Sequence, residues 1–132
     1  MMNDNKLSLL AVDDEIINIT VLLETLGTDY NVRVATDGEA VFASVKNNRP
    51  NLILLDIMMP GMDGFEVCRR LKNDPATTNI PIIFLSALNE DADEKLGLEL
   101  GAVDYITKPF NPDIVKLRVS KHVQPKMSWK FY

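Results

Sequence analysis

The sequence predicts an α/β domain built on a doubly wound, five-stranded parallel sheet, and three observations carry that expectation. Five short β-rich runs alternate along the chain with five longer stretches of helical spacing. Three of the runs are apolar almost throughout, as strands covered on both faces are. A strict strand–helix alternation needs right-handed crossovers, which put helices on both sides of one sheet.

The first run, residues 7–12, leads into a helix whose stripe is Ile16, Ile19, Leu23 and Leu26, with Gly27 as its stop. The second run, 31–35, precedes a helix that begins after Asp37-Gly38 and continues through Ala40, Ala43 and Lys46. The third, 52–55, precedes a helix with Phe65, Cys68 and Leu71 on its inner face. The fourth, 82–85, precedes a helix expected from about residue 90 to residue 100, ended by Gly101. After the fifth run, 104–107, Asn111 suits the cap of a last helix with Pro112 at its first position.

A chain of 132 residues suits one domain of this kind. We expect it to span residues 1–124. Residues 125–132, with Trp129, Phe131 and Tyr132, read as a tail or the start of a linker to an absent output domain. The formal charge of −5 offers no basic field to nucleic acid or an anionic membrane. No apolar run approaches the ~18 residues of a membrane span, and the polar start lacks the order of a signal peptide. The one cysteine, Cys68, cannot close an internal disulfide, so a cytoplasmic protein is expected. Its helical spacing with Phe65 and Leu71 makes it a small core residue.

In an open parallel sheet, chemistry gathers at the carboxyl ends of the strands. Here the first strand ends in Asp13-Asp14, the third in Asp56, the fourth in Ser86 and the fifth in Lys108-Pro109. Taken singly, each has a plainer reading. Asp13-Asp14 and Ser86 suit helix caps, and Lys108 suits a solvated surface. Their convergence on one rim is harder to explain that way. Three carboxylates repel one another and invite a hard divalent cation, and oxygen-only donors favour Mg²⁺. A carboxylate can act as a nucleophile toward phosphorus, with the cation and Lys108 neutralising charge and Ser86 supplying a hydroxyl.

These residues, in this order, resemble the receiver domain of bacterial two-component response regulators. Asp13-Asp14-Glu15 matches that family's acidic pair, and residues 54–64, Leu-Leu-Asp-Ile-Met-Met-Pro-Gly-Met-Asp-Gly, match its phosphoacceptor strand and loop. Ser86-Ala87 matches the hydroxyl position and its small follower, and Tyr105-Ile106-Thr107-Lys108-Pro109-Phe110 matches the lysine motif. The resemblance runs from about Lys6 to Val123 and implies a flavodoxin-like (βα)5 fold.

It also implies roles. Asp56 would accept a phosphoryl group from a sensor histidine kinase or a histidine phosphotransfer protein. Asp13, Asp14 and Asp56 would hold Mg²⁺ together with the Met58 backbone carbonyl. Lys108 would pair with Asp56 and then with the phosphoryl oxygens, and Lys108-Pro109 would be a cis peptide. Ser86 and the Ala87 N–H would bond the phosphoryl group, and Tyr105 would follow Ser86 inward as the switch. The surface of the fourth helix, fifth strand and fifth helix would relay the change. The same surface is a candidate homodimer face, with Asp91, Asp93, Glu94, Lys95 and Arg118 supplying charge. The stretch 114–119 resembles the last helix of receivers that precede output domains, including cyclic-dinucleotide enzymes and hybrid kinases.

Met58 and Leu88 flank the family's path for attacking water, and both are apolar here, so a long-lived acyl phosphate is expected. Met58, Met59 and Met62 read as loop packing, since thioethers are poor Mg²⁺ ligands. His122, the one histidine, reads as a surface or interface residue, with the phosphodonor on another protein. Three competing functions fit the residues less well. A Mg²⁺-dependent phosphohydrolase would want a second acid where Met58 stands. A nucleotide-binding module would want glycines where Asp13-Asp14-Glu15 stand. A phosphate-independent interaction module would not need every acceptor position filled.

Overall fold

Strand residues alternate between the two faces of a sheet, so a sheet covered on both faces needs apolar residues at consecutive positions. The computed structural model describes residues 5–87 and 91–123 and has that arrangement. Its elements run β1 Ser8–Val12, α1 Ile16–Leu26, β2 Asn31–Ala35, α2 Gly38–Asn47, β3 Leu52–Asp56, α3 Gly64–Asn73, β4 Ile82–Ser86, α4 Asp91–Glu99, β5 Asp104–Thr107 and α5 Pro112–His122. The strands form one sheet in the order β2-β1-β3-β4-β5, and every neighbouring pair is parallel. Residue 90, where the fourth helix was expected to begin, lies outside the described residues, as do Leu88 and the tail 125–132.

On one face, Leu10, Val12, Ile53, Leu55, Ile82 and Phe84 meet Val41 and Val45 of α2 and Val67, Cys68 and Leu71 of α3. On the other, Leu9, Ala11, Leu52, Leu54, Ile83 and Leu85 meet Ile19, Leu22 and Leu26 of α1 and Val115 and Val119 of α5. The stripe expected for α1 is therefore corrected. Its inner face steps through Ile19, Leu22 and Leu26, while Leu23 is half-exposed and Ile16 is 79% exposed. Ile16 stands in the first turn, at the rim, where the sheet no longer covers it. In α2 the buried side chains are Val41 and Val45; Ala43 and Lys46 face outward.

Two close approaches set the positions of α3 and α4. A Cβ on Gly64 would lie 2.2 Å from the Asp56 carbonyl oxygen, so only glycine lets α3 begin directly over the end of β3. The Gly64 N–H donates to the Ile57 carbonyl at 2.8 Å, and the Asp63 side chain caps the helix by accepting from the Glu66 N–H at 3.0 Å. A Cβ on Gly97 would lie 2.6 Å from the Phe84 ring, so α4 rests on β4 through a bare backbone. At α5, Asn111 caps as expected, accepting from the N–H groups of Asp113 and Ile114.

Strand order reverses between β1 and β3, since the chain leaves β1 to one side for β2 and builds β3, β4 and β5 on the other. A crevice opens at the carboxyl ends of strands at such a point. Asp13 and Asp56 stand there.

Candidate functional site

Asp13 directly follows β1, where its N–H extends the ladder to the Ala35 carbonyl at 3.2 Å and its side chain is fully buried. Asp56 is the last residue of β3 and is 2% exposed. Lys108 follows β5, and its N–H donates to the Ser86 carbonyl at 2.7 Å. The Lys108–Pro109 peptide is cis. From that position the ammonium reaches both acids, at 2.9 Å from Asp56 Oδ1 and 3.1 Å from Asp13 Oδ2.

One ammonium facing two buried carboxylates leaves the group short of positive charge. Asp13 Oδ1 accepts from the Glu15 N–H at 3.0 Å, and Asp56 Oδ1 accepts from the Met58 N–H at 3.3 Å. Among the described residues, none donates a hydrogen bond to Asp56 Oδ2, and Asp13 Oδ2 meets the ammonium without hydrogen-bond alignment. Burial raises the Asp56 pKa, the Lys108 hydrogen bond opposes it, and the Asp13 charge adds to the rise, for a value of about 6. At Lys108 burial works to lower the pKa, but the pull of Asp56 and Asp13 outweighs it and the net direction is up.

Asp14 and Glu15 are exposed beside this pair, and carboxylate oxygens of Asp13, Asp14 and Glu15 lie within 4.8 Å of one another. Hard oxygen donors, two of them buried and incompletely satisfied, fit a divalent cation such as Mg²⁺. A cavity of about 360 Å³ opens over Asp56, lined also by Glu15, Met58, Ala87, Asp93 and Lys108. A larger one, about 630 Å³, lies among Phe42, Val45, Arg49 and Leu71 and includes none of the rim residues.

The sequence-predicted residues divide into three groups. Asp13, Asp56 and Lys108 form one bonded cluster, and Ala87 and Met58 line the same cavity, with the Met58 side chain 71% exposed. Ser86 is beside them but bonded elsewhere: its hydroxyl donates to Glu94 Oε2 at 3.1 Å. Tyr105 lies farther down β5, in register with Phe84, partly buried against the core, with the Arg118 guanidinium 5.5 Å from its ring centre. His122, partly buried near the end of α5, has its ring nitrogen 3.0 Å from Asp104 Oδ2.

Sequence reasoning assigned no role to Glu15 and assigned Asp93 and Glu94 to an outer face. In the structure both turn toward the rim, Asp93 into the cavity and Glu94 onto Ser86. Adjacency to Asp13-Asp14 was a usable signal for Glu15. No such signal existed for α4, whose one buried residue is a glycine and leaves no apolar stripe to fix its phase.

The response regulator receiver domain family matches residues 9–120. The chain is 45% identical to the response regulator PleD of Caulobacter vibrioides over 84% of its own length and 25% of that protein's. It is also 45% identical to the alkaline phosphatase synthesis transcriptional regulatory protein PhoP of Bacillus subtilis, over 84% of this chain and 46% of that one. It thus spans about a quarter to a half of the curated relatives it matches. Among solved structures, the chemotaxis response regulator CheY4 of Vibrio cholerae superposes with a TM-score of 0.83 at 28% identity, covering 90% of this chain and 100% of that one. With this fold, this strand-end cluster and this match over most of its length, the chain belongs to the response regulator receiver domain family of two-component signal transduction.

Proposed function

We propose that Asp56 accepts a phosphoryl group and that its phosphorylation sets the state of the domain. The observation that carries this reading is a strand-end carboxylate, 2% exposed, sharing one lysine with a second buried carboxylate and keeping one oxygen without a hydrogen-bond partner among the described residues. An Asp56 oxygen attacks the phosphorus of a phosphohistidine, the P–O bond forms as the P–N bond breaks, and the imidazole leaves. The Lys108 ammonium, already on Asp56, neutralises charge on the transferring group. The Ala87 N–H and the Ser86 hydroxyl stand at the next strand end to bond the phosphoryl oxygens.

Asp13, Asp14 and Asp56, with the Met58 carbonyl, are the residues that would hold Mg²⁺. When bound it supplies charge neutralisation on the phosphoryl oxygens. Tyr105 is the residue we assign to sense Ser86, in the family manner. We take residues 1–124 as the receiver unit and 125–132 as the start of a linker. The donor we propose is a sensor histidine kinase or a histidine phosphotransfer protein. Exposed Met58 lines the cavity, and exposed Ile16 and Ile17 directly follow Glu15, which lines it too; together they offer an apolar landing surface for the donor.

A fused output domain would account for the chain's matching only part of each relative. Exposed Leu96 and Leu98 on α4 and Leu117 on α5 support a face that relays to it or pairs with a second copy. The chain catalyses only its own phosphorylation and slow dephosphorylation in this reading, and works in the cytoplasm. Apolar Met58, where a hydrolase would carry its second acid, supports that.

Intact mass after incubation with acetyl phosphate tests the assignment. One added phosphoryl group is expected, dependent on Mg²⁺ and absent in Asp56→Asn. A wild type that takes no adduct, sampled early enough to catch a short-lived one, overturns it.

A further inference from the structure

We propose that Glu94 is a positioning residue for Ser86: it holds the hydroxyl away from the acceptor at rest and yields it when Asp56 carries a phosphoryl group. The inference rests on the reading of Asp56 as acceptor and adds a residue and a release step to it. Ser86 is 1% exposed, and its hydroxyl donates to Glu94 Oε2 at 3.1 Å. A hydroxyl has one hydrogen to give. Glu94 and a phosphoryl oxygen are both pure acceptors, so the two compete for the same proton. Phosphorylation of Asp56 therefore opposes the Ser86–Glu94 bond directly.

Charge works in the same direction. The first turn of α4 carries Asp91, Asp93 and Glu94, and Asp93 lines the cavity over Asp56. A phosphoryl group adds about −1.5 to −2 charge in front of that turn. Little else anchors the helix. Gly97 is the one buried residue in Asp91–Glu99, seated against the Phe84 ring. A helix with so little apolar burial belongs to the low-stability end of a fold, where one charge-assisted hydrogen bond is a large share of the attachment. Breaking it frees the element that carries exposed Leu96 and Leu98. The acceptor is then coupled to α4 by a bond that phosphorylation removes as well as by contacts that it makes.

The test is the rate of Mg²⁺-dependent adduct formation with acetyl phosphate, read by intact mass, together with amide hydrogen exchange across Asp91–Glu99. Glu94→Ala should take up the phosphoryl group roughly 5-fold faster than wild type, the worth of one modest hydrogen bond. Its α4 should exchange, without phosphate, as fast as that of the phosphorylated wild type. Glu94→Gln keeps an acceptor oxygen and should restore behaviour to within about twofold of wild type. In a Ser86→Ala background, Glu94→Ala should add nothing, because the two residues act through one bond. An equal gain in both backgrounds would make Glu94 a bulk charge and overturn the proposal. So would a Glu94→Ala protein that matches wild type in rate and exchange while still forming the adduct. A wild type with no adduct at all would instead remove the Asp56 assignment, and the latch with it.

Discussion

At the amino ends of β1 and β3, buried Asn51 bridges the two strands: its Oδ1 accepts from the Ser8 N–H at 2.8 Å and its N–H donates to the Ser8 carbonyl at 2.7 Å. At the carboxyl ends of the same strands, Asp13 and Asp56 are as deeply buried, yet they share one lysine. Burial is alike at the two ends, and the energetics are opposite. A buried amide whose donors and acceptors are met stabilises the fold, whereas a buried carboxylate that is half-met costs it. One end of the sheet closes the structure. The other holds charge at a cost that the proposed cation and phosphoryl group would offset.

The sharpest way to break this contrast is to remove the shared lysine. Lys108→Met should destabilise the protein by about 3 kcal/mol at pH 7.5 without Mg²⁺, because two buried carboxylates then face no cation. The loss should shrink at pH 5, where Asp56 can take a proton, and urea midpoints at the two pH values check it. A loss below 1 kcal/mol, equal at both, would mean that the rim is wetter than its burial indicates.

Asp56→Asn should do the reverse. The Asp56 pKa is raised in the fold from 3.8 to about 6, with burial the largest cause. Its ionised form is therefore disfavoured in the native state, and the stability present below the unfolded pKa is lost as pH rises through the folded one. Replacing it with a neutral isostere should stabilise the Mg²⁺-free protein by about 1–3 kcal/mol at pH 7.5, and by almost nothing at pH 4. Paired denaturation curves would show this, and a destabilised Asp56→Asn protein at neutral pH would refute the account of the rim as strained. At the opposite end, Asn51→Ala should cost about 1–2 kcal/mol by orphaning the Ser8 N–H. That cost should be flat across the same pH range, since no titrating group is involved.

The difference between the two ends also explains what could be read from the sequence. The sheet was legible because strands buried on both faces leave consecutive apolar residues, and the rim because its residues terminate those strands. Asp13, Asp56 and Lys108 could be placed on one rim from the sequence, since strand ends of a parallel sheet converge by topology. The pairing of Lys108 with Asp56 came from the family resemblance, and its contact with Asp13 from the structure. Helix phase was harder. Ile16 and Leu23 fit the α1 stripe by spacing alone, but a helix that overhangs the sheet buries only the residues above it. The bond from Ser86 to Glu94 was not readable at all, because α4 has no apolar stripe to say which way its acids point. Asn51 likewise gave no signal, as a single asparagine before a strand looks like an ordinary turn.

Mg²⁺ gives the smallest effect and the most specific comparison. A ligand that binds only the folded state at tenfold its Kd adds about 1.4 kcal/mol. Wild type and Asn51→Ala should gain that amount equally, because the amide bridge lies at the far end of both strands from the carboxylates. Asp13→Asn and Asp56→Asn should each gain little, having lost an oxygen donor and a charge from the pair. The gain in wild type should also fall as pH drops toward 6, because the cation requires Asp56 ionised and must displace a proton held there. Thermal or urea titrations with Mg²⁺ at several pH values separate these cases. Equal stabilisation of Asp13→Asn and wild type would place the ion on the exposed acids Asp14 and Glu15 alone, and the buried charge at the rim would then need a different explanation.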